Sequence, residues 1–240
     1  MKLKIFNLNC WLLPPPISAE NNKRIEEIIS LVNHTRPDVI MLQEVWLNKY
    51  VNKFKNGLQN YSFIATEGKS FNKSGLLTGL KIPYSSHKIN FFNHVKGYNV
   101  IEKIASKGYH LIHISKDIYL INTHLYAPIK SSNRKITKLQ FNLLKKFSKD
   151  KKVILAGDLN LEEKDLSQLN NTFNYKSHGI YTSVQSNKYH KTRLNKLSHE
   201  KNKKLDYVLV KEKMKYTVRE KVLKSPVVSD HLTIITNIKI

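Results

Sequence analysis

Residues 38–44 read Asp-Val-Ile-Met-Leu-Gln-Glu, an apolar run that begins after Pro37 and ends in two polar residues. Strands that are buried on both faces have continuous apolar runs of this kind, whereas strands with one solvated face alternate apolar and polar residues. We therefore expect a buried strand over 38–42, in a sheet that is covered on both sides.

Helical and strand-like segments surround this run in both halves of the chain. A helix is predicted over about residues 20–35, because Ile25, Ile28 and Val32 recur at helical spacing, and Pro37 is expected to end it. The other predicted elements are strands at 2–10, 61–65, 75–80, 101–105, 109–114, 118–123, 152–156, 205–210 and 232–240, an amphipathic segment at 49–58 and a helix at about 133–148. A loop is expected to begin at Gly157, and the polar stretch 162–204 to form long loops. Since strands outnumber helices and each half pairs strands with a covering helix, the pattern favours a layered α/β sandwich.

Length and composition restrict the class of protein. A chain of 240 residues that is 40% hydrophobic can bury a full core, and we expect one catalytic domain over 1–240. The formal net charge of +23 predicts attraction to polyanions, either nucleic acid or an anionic membrane surface. Cys10 is the only cysteine, so an internal disulfide is excluded.

Hydropathy gives an expectation about location. No stretch approaches the roughly 20 apolar residues that cross a bilayer. The apolar run near the N-terminus is interrupted by Asn7, Asn9 and the prolines at 14–16, unlike a signal peptide. We therefore expect a protein that is cytoplasmic or peripheral to a membrane.

Polar residues recur where the predicted strands begin or end. They are Asn9, Glu44, His124, Asp158, Asn160, Asp206, Asp230 and His231. If the strands lie side by side, these ends converge on one pocket that holds carboxylates, amides and two imidazoles. Burying carboxylates is costly unless they are paired or bound to a metal, so the pocket is a candidate active site.

These residue types suit hydrolysis of a phosphodiester. Glu44 and Asn9 offer the hard oxygen ligands that Mg²⁺ accepts. A histidine beside a carboxylate can take a proton from water, and further amide or imidazole groups can stabilise charge on a phosphate. The sequence has no Cys/His zinc spacing, no P-loop and no Gly-x-Ser-x-Gly elbow that would indicate another chemistry.

Six motifs occur in order along the chain and carry a family resemblance. They are IFNLNCW at 5–11, LQEVW at 42–46, NTHLYA at 122–127, LAGDLNL at 155–161, LDYVLV at 205–210 and SDH at 229–231. Together they resemble the motif set of the endonuclease/exonuclease/phosphatase superfamily of Mg²⁺-dependent phosphodiesterases. NLNCWLLP and QEVW are similar in wording to the neutral, Mg²⁺-dependent sphingomyelinases, which cleave sphingomyelin to ceramide and phosphocholine. No hydrophobic membrane hairpin is evident.

The resemblance implies a four-layered α/β sandwich, with two central mixed β-sheets flanked by helices. It also implies roles for the candidate residues. Glu44 and Asn9 are expected to contact Mg²⁺ or Mn²⁺, and Asp230 to be either a further metal contact or a partner of a metal-binding residue. His231, oriented by Asp206, is expected to take a proton from water, and Asp158 to align that water or His231. Asn160 and His124 are expected to stabilise phosphate charge, and Lys107 either to contact the substrate phosphate or to be a solvated lysine.

The substrate is left open by the sequence. The expected partner is a phospholipid at a membrane surface, cleaved by a sphingomyelinase-like phosphodiesterase, and no obligate protein partner is evident. The alternatives are a DNA endonuclease or exonuclease on the same scaffold, an inositol-lipid phosphatase, and a non-catalytic polyanion-binding protein. One fold hosts all of these substrates.

Overall fold

The computed structural model describes residues 1–66, 68–95, 97–98, 100–115, 117–128, 133–175, 180–191, 201–211 and 214–240. The helices are α1 (Asn21–Thr35), α2 (Asn48–Gly57), α3 (Val100–Ala105), α4 (Arg134–Phe147) and α5 (Glu163–Leu169). The strands are β1 (Lys2–Leu12), β2 (Val39–Val45), β3 (Ser62–Ile64), β4 (Leu77–Leu80), β5 (Ser86–Phe91), β6 (Gly108–Ser115), β7 (Ile118–His124), β8 (Lys152–Asp158), β9 (Phe173–Asn174), β10 (Asp206–Lys211), β11 (Thr217–Leu223) and β12 (Thr233–Lys239). Short 3₁₀ turns lie at Lys73–Gly75 and Lys188–Lys191.

The strands form two six-stranded mixed sheets. The first sheet has the order β11-β12-β1-β2-β4-β3, and the second has the order β5-β6-β7-β8-β10-β9. Each sheet has a parallel pair at its centre, β1 with β2 and β7 with β8, and its other pairs are antiparallel. The carboxyl ends of these central strands meet at one end of the molecule.

Alternation along the central strands creates the layers, because successive side chains point to opposite faces of a sheet. In β1, Ile5 belongs to the core between the sheets, whereas Phe6 packs with Ile28 of α1 on the outer face. In β8, Ile154 lies between the sheets, and Leu155 packs on the opposite face with α4 and α5. The predicted sandwich, with helices outside two central sheets, is therefore confirmed.

One predicted strand is a helix. The apolar residues at 101–105 led us to expect a strand, but Val100–Ala105 form α3. The prediction assumed that Ile101 and Ile104 are buried, yet these side chains are 76% and 66% exposed. The residues that α3 buries are Glu102 and Ala105, at helical spacing.

The predicted loop at Gly157 is also wrong, because β8 continues through Asp158. Gly157 has a φ of 150°, and a Cβ at this position would lie 1.8 Å from the backbone oxygen of Thr123. Only glycine allows the neighbouring strand to approach this closely. The glycine that suggested a turn is therefore required inside the sheet.

Two elements in the stretch 162–204, expected to be loops, are regular: α5 and the short strand β9. Residues 176–179 and 192–200 of that stretch lie outside the described residues. The sequence also gave no prediction for the strands β5 and β11, which lie at sheet edges and have largely exposed or half-buried side chains. Within the described part of the chain, no helix has the length and hydropathy needed to span a membrane.

Candidate active site

Strand register brings the polar residues together at one end of the sandwich. In the second sheet, β7 places His124 opposite Asp158 of β8, and β10 places Asp206 on the other side of Asp158. In the first sheet, Asn9 of β1 lies opposite Gln43 of β2, next to Glu44. The two sheets therefore present their polar residues to one cleft.

The backbone at the end of the first sheet is irregular. The pairing of β1 with β2 shifts between Asn9 and Leu12, and Trp11 and Glu44 have positive φ angles of 49° and 58°. Such conformations are uncommon for residues other than glycine and often occur at functional sites. The Trp11 backbone N–H donates to the Asn9 side-chain oxygen at 3.0 Å, which fixes the orientation of this amide.

Asn9 joins two carboxylates from different sheets. Its Nδ2 lies 3.1 Å from Oε1 of Glu44 and 2.9 Å from Oδ2 of Asp158. As placed, the amide donates to both carboxylates while its oxygen faces Trp11. Asn9 thus holds the two carboxylates in position, and its predicted role as a metal ligand stays a prediction.

The carboxylates are held close together with little solvent around them. Burial, with a further contribution from Asp230, raises the pKa of Glu44 to about 7. Burial and the nearby charge of Asp206 raise the pKa of Asp158 to about 6. Burial and neighbouring carboxylates thus make the ionised forms of Glu44 and Asp158 costly, and a bound cation would stabilise them.

His231 and Asp206 form a close pair across the sheets. Nδ1 of His231 lies 2.7 Å from Oδ2 of Asp206, and Nε2 of His231 lies 4.0 Å from Oδ2 of Asp158. Burial alone would lower the pKa of His231, but the Asp206 carboxylate outweighs it and holds the pKa well above its ordinary value. Asp206 fixes one ring nitrogen and leaves the other toward the cleft, which is the geometry of an oriented proton acceptor. The raised pKa keeps this ring protonated until the negative charge of the cleft is offset, as a bound cation would do.

The segment before His231 is attached to β1. The Ser229 hydroxyl donates to the backbone oxygen of Asn9 at 2.6 Å, and Oδ1 of Asp230 lies 3.1 Å from the same hydroxyl. Asp230 acts electrostatically on both Glu44 and His231. The Ser-Asp-His motif therefore contributes to the same cleft as Asn9.

His124 is held by Lys107. The Lys107 ammonium lies 3.0 Å from each of Nε2 of His124, the backbone oxygen of Leu125 and Oε1 of Glu102. Because an ammonium only donates, His124 accepts at Nε2 and carries its proton at Nδ1. Burial and the Lys107 charge lower the pKa of His124 well below its ordinary value, so the ring is neutral.

This arrangement bears on the predicted phosphate contact of Lys107. Its three N–H groups are all engaged, so a phosphate oxygen would have to replace one of the present acceptors. Asn160 is also engaged with groups of the protein. Its Nδ2 donates to the backbone oxygen of Leu125 at 3.0 Å, and its backbone N–H donates to Oδ1 of Asp158 at 2.9 Å.

The residues suit a divalent cation of the hard class. Carboxylate oxygens from Glu44, Asp158 and Asp230 surround one cleft, and no thiolate is available because Cys10 is buried in the outer core. A different grouping is also geometrically possible, since ligand atoms of Asp158, Asp206 and His231 lie within 4.8 Å of one another. The direct 2.7 Å contact between Asp206 and His231 indicates a hydrogen-bonded pair rather than two ligands of one ion.

A buried polar network beneath the cleft was not predicted. Gln43 Nε2 donates to Asn7 Oδ1 at 3.0 Å and to Asn122 Oδ1 at 2.8 Å, and so connects the two sheets. The sequence did contain a signal for this network. Asn7 stands two residues before Asn9, Asn122 two residues before His124, and Gln43 one residue before Glu44. With a period of two, Asn7 shares its face with Asn9, and Asn122 with His124.

Sequence reasoning also missed two residues that support the site, Arg24 at the end of β1 and Glu102, which holds Lys107. The Arg24 guanidinium is fully buried and donates to the backbone oxygens of Cys10 at 2.6 Å and Trp11 at 2.8 Å. It therefore supports the irregular end of β1 that presents Asn9. An arginine within a helical pattern is normally read as exposed, and nothing in the sequence distinguished this one.

The predicted site residues all lie at this end of the sandwich. The structure brings Asn9, Glu44, Asp158, Asp206, Asp230, His231, His124, Asn160 and Lys107 into one contiguous set of contacts. Their chemical roles stay predictions.

Comparison with known protein sequences identifies the family of this chain and one curated relative. The model of the Endonuclease/Exonuclease/phosphatase family matches residues 6–231, a range that contains every predicted site residue. Sphingomyelin phosphodiesterase 2 of Mus musculus is 28% identical over 187 residues, which cover 69% of this chain and 43% of the mouse protein. The matched part of the chain thus spans less than half the length of this curated relative.

Solved structures share the fold at low sequence identity. Beta toxin from Staphylococcus aureus, in a mutant form with bound magnesium ions, has a TM-score of 0.80 and 20% identity, over 98% of this chain and 99% of that chain. D. rerio TDP2 complexed with a single strand DNA product has a TM-score of 0.78 and 18% identity, over 100% of this chain and 99% of that chain. At these identities the likeness shows the fold.

Proposed function

The chain belongs to the endonuclease/exonuclease/phosphatase family, and we therefore propose that it is a divalent-metal-dependent phosphodiester hydrolase of sphingomyelinase type. In this proposal residues 1–240 form one catalytic domain. The substrate is a phospholipid phosphodiester at a membrane surface. The reaction adds water across the phosphoester bond and releases the phosphorylated head group.

The observation that carries the proposal is the cleft where the His231–Asp206 pair faces the two carboxylates held by Asn9. His231 is fixed through Nδ1 at 2.7 Å from Asp206, so Nε2 is the atom that takes a proton from the attacking water. Asp206 stabilises the imidazolium that results. Asp158, whose Oδ2 lies 4.0 Å from Nε2, aligns the water toward this nitrogen.

The other side of the cleft stabilises the phosphate. Asn160 and the neutral His124, supported by the Lys107 ammonium, lie beside Asp158 on the second sheet. Groups fixed in advance in this way act on charge that develops in the transition state without reorganising. Asn160 and Lys107 are fixed by hydrogen bonds to the backbone oxygen of Leu125, and Lys107 in turn fixes His124.

Glu44 and Asp230 would hold Mg²⁺ or Mn²⁺, with Asn9 beside them. The ion would polarise the phosphate and offset the negative charge of the cleft. The raised pKa of Glu44 supports this assignment, because it reflects a buried carboxylate beside another carboxylate.

Two observations support different substrate classes. The relative in Mus musculus, sphingomyelin phosphodiesterase 2, supports a phospholipid. The likeness to TDP2 with a single strand DNA product, together with the +23 charge, supports a DNA phosphodiester as the second candidate.

One experiment separates these candidates. The protein is incubated with sphingomyelin vesicles and with plasmid DNA in parallel, with Mg²⁺ or with EDTA, and released phosphocholine and nicked plasmid are measured. We expect phosphocholine in Mg²⁺ and none in EDTA, with DNA bound at low salt but not cut. Mg²⁺-dependent nicking that is lost in His231→Ala, without phosphocholine release at any lipid composition, would replace the lipid assignment by the nuclease.

A further inference from the structure

Exposed apolar side chains are concentrated in one segment. Among the described residues, ten large apolar side chains are well exposed, and five of them lie between positions 91 and 104. These five are Phe91, Val95, Val100, Ile101 and Ile104. The last three, all on α3, are 70%, 76% and 66% exposed, the highest values of the ten. The three on α3 lie on one short helix, and exposed apolar side chains grouped in this way mark an interaction surface rather than ordinary surface variation.

The polarity of α3 is the reverse of an ordinary surface helix. Such helices turn apolar side chains inward and charged ones outward. Here Glu102 is buried and forms an ion pair with the buried Lys107 at 3.0 Å, while Ile101 and Ile104 on the other face point to solvent. Tyr98, one turn earlier, is buried too and packs against Tyr126 with ring centroids 5.0 Å apart. The inward side is thus anchored by an ion pair and an aromatic contact, and the apolar face is left outside.

The helix is attached directly to the active site. Lys107, which holds Glu102, also lies 3.0 Å from Nε2 of His124. The outer face of α3 is therefore only a few residues from the cleft along the chain. A surface that binds this outer face would be separated from the Lys107 contact by about the diameter of one helix, roughly 10 Å.

The charges around the apolar face have one sign. Glu102 is the only acidic residue between 91 and 104, and it is buried. Lys103 is exposed on α3, and the 3₁₀ turn that packs beside α3 carries the exposed Lys73. An apolar face flanked by lysines matches the interface of an anionic bilayer, with acyl chains below and negative head groups above. A second copy of the chain would bring the same +23 charge and is repelled.

We propose that Val100, Ile101 and Ile104 on the outer face of α3 insert into the interface of an anionic phospholipid membrane and so turn the active site toward the lipid. The choice of a lipid surface rests on the proposed phospholipid substrate. Docking through α3 assigns a membrane contact to a chain in which no hydrophobic hairpin is evident.

The test is a vesicle-flotation measurement with the full chain in EDTA, so that no lipid is turned over. Vesicles contain phosphatidylcholine alone or phosphatidylcholine with phosphatidylserine. The variant is Ile101→Ser/Ile104→Ser, and the matched control is Leu139→Ser/Leu143→Ser, which removes two other exposed apolar side chains, on α4. We expect the partition coefficient on phosphatidylserine vesicles to fall about tenfold or more in the α3 variant and less than about twofold in the control.

Each other outcome contradicts the proposal. Equal losses in both variants would show that binding is not specific to α3, and no loss would show that α3 does not dock. A change in oligomeric state in the α3 variant, without vesicle binding by the unchanged protein, would make the patch an interface between copies of the chain.

A second variant covers the case in which the double substitution unfolds α3, detected by circular dichroism. Ile101→Trp retains an apolar side chain. The emission that it adds to that of Trp11 and Trp46, obtained by subtracting the spectrum of the unchanged protein, should shift to shorter wavelength with phosphatidylserine vesicles and be quenched by brominated lipids. An unchanged spectrum would overturn the proposal. Since none of these measurements involves hydrolysis, failure of the proposed function and failure of α3 docking are read separately.

Discussion

Nδ1 of His231 lies 2.7 Å from Oδ2 of Asp206, and the two residues come from segments of different sheets. Asp206 is the first residue of β10 in the second sheet, whereas His231 precedes β12 in the first. The pair is therefore formed only when the two sheets are packed in their final register. Orientation of the proton acceptor depends on closure of the whole sandwich, since neither sheet contains both partners.

The first prediction concerns this pair. His231→Ala removes the proton acceptor and should lower kcat by about 10² or more with little change in KM. Asp206→Asn should lower kcat by less, because the ring remains and only its orientation and the stabilisation of its charge are lost. The measurement is steady-state hydrolysis of the substrate identified by the vesicle and plasmid assay.

The control for this prediction is His34→Ala, which removes an exposed histidine on α1. It should retain the kcat of the unchanged protein. If His231→Ala keeps a kcat within about threefold of that value, another group is the base.

The second prediction concerns the metal. Glu44→Gln removes one charge from a buried cleft that also contains Asp158 and Asp230, so it should weaken Mn²⁺ binding by about tenfold or more. The same variant should unfold at a higher temperature than the unchanged protein in EDTA, because one of several repelling carboxylates is gone. Titration calorimetry with Mn²⁺ and thermal unfolding with and without the ion measure both effects.

Glu26→Gln is the matched control, since Glu26 is exposed on α1. Its Mn²⁺ affinity and its unfolding temperature should equal those of the unchanged protein. Equal Mn²⁺ affinity in Glu44→Gln would show that the ion is held elsewhere, for example by Asp158 with Asp206.

The sequence predicted the members of the site better than their mutual contacts. Asn9, Glu44 and Asp206 were found because each stands at the edge of an apolar strand, and strand ends converge in a layered sheet. Which atoms face each other depends on register and on the bulge after Asn9, which the apolar pattern does not encode. The donation from Lys107 to His124 depends in the same way on tertiary structure, because Lys107 lies between α3 and β6 whereas His124 ends β7.

The apolar pattern also could not predict that residues 100–105 form the helix α3 instead of a strand. The run from Val100 to Ala105 is apolar enough to suggest a buried strand, and local pattern alone cannot tell a buried segment from an apolar face that is exposed for binding. Tertiary contacts of Glu102 and Tyr98 decide which face points inward.

The third prediction concerns Arg24, which is fully buried in α1. Arg24→Met leaves the backbone oxygens of Cys10 and Trp11 without their donors and should lower the free energy of unfolding by about 3 kcal/mol or more. Arg24→Lys should restore little, because a lysine lacks the fork of donors that reaches several oxygens at once. Urea denaturation measures the loss.

Arg219→Met, at an exposed position on β11, is the control and should change the free energy of unfolding by less than about 0.5 kcal/mol. A loss below about 1 kcal/mol in Arg24→Met would mean that the end of β1 is held mainly by other contacts.

The last prediction concerns the pH dependence of folding stability at His110. This ring is fully buried between the sheets, and its Nδ1 lies 3.0 Å from the Thr78 hydroxyl, which in turn accepts from Nδ2 of Asn122. The neutral ring can accept from this hydroxyl or donate to it, according to its tautomer. Burial, with a contribution from His87, lowers the pKa of His110 from 6.5 to about 3.

Because the pKa is lower in the folded state, the unfolded chain binds a proton first as the pH falls below 6.5, and stability is lost from there down to about pH 3. Between pH 7.5 and 5.5 this single group should cost about 1.4 kcal/mol of unfolding free energy. His110→Gln retains a side chain that can accept from the Thr78 hydroxyl or donate to it and does not titrate, so its stability should fall by about 1.4 kcal/mol less over the same interval. Urea denaturation of both proteins in EDTA at the two pH values measures the difference, in which the shared titrations of Glu44 and Asp158 cancel. An identical pH dependence in the two proteins would show that His110 accepts a proton in the folded state without cost.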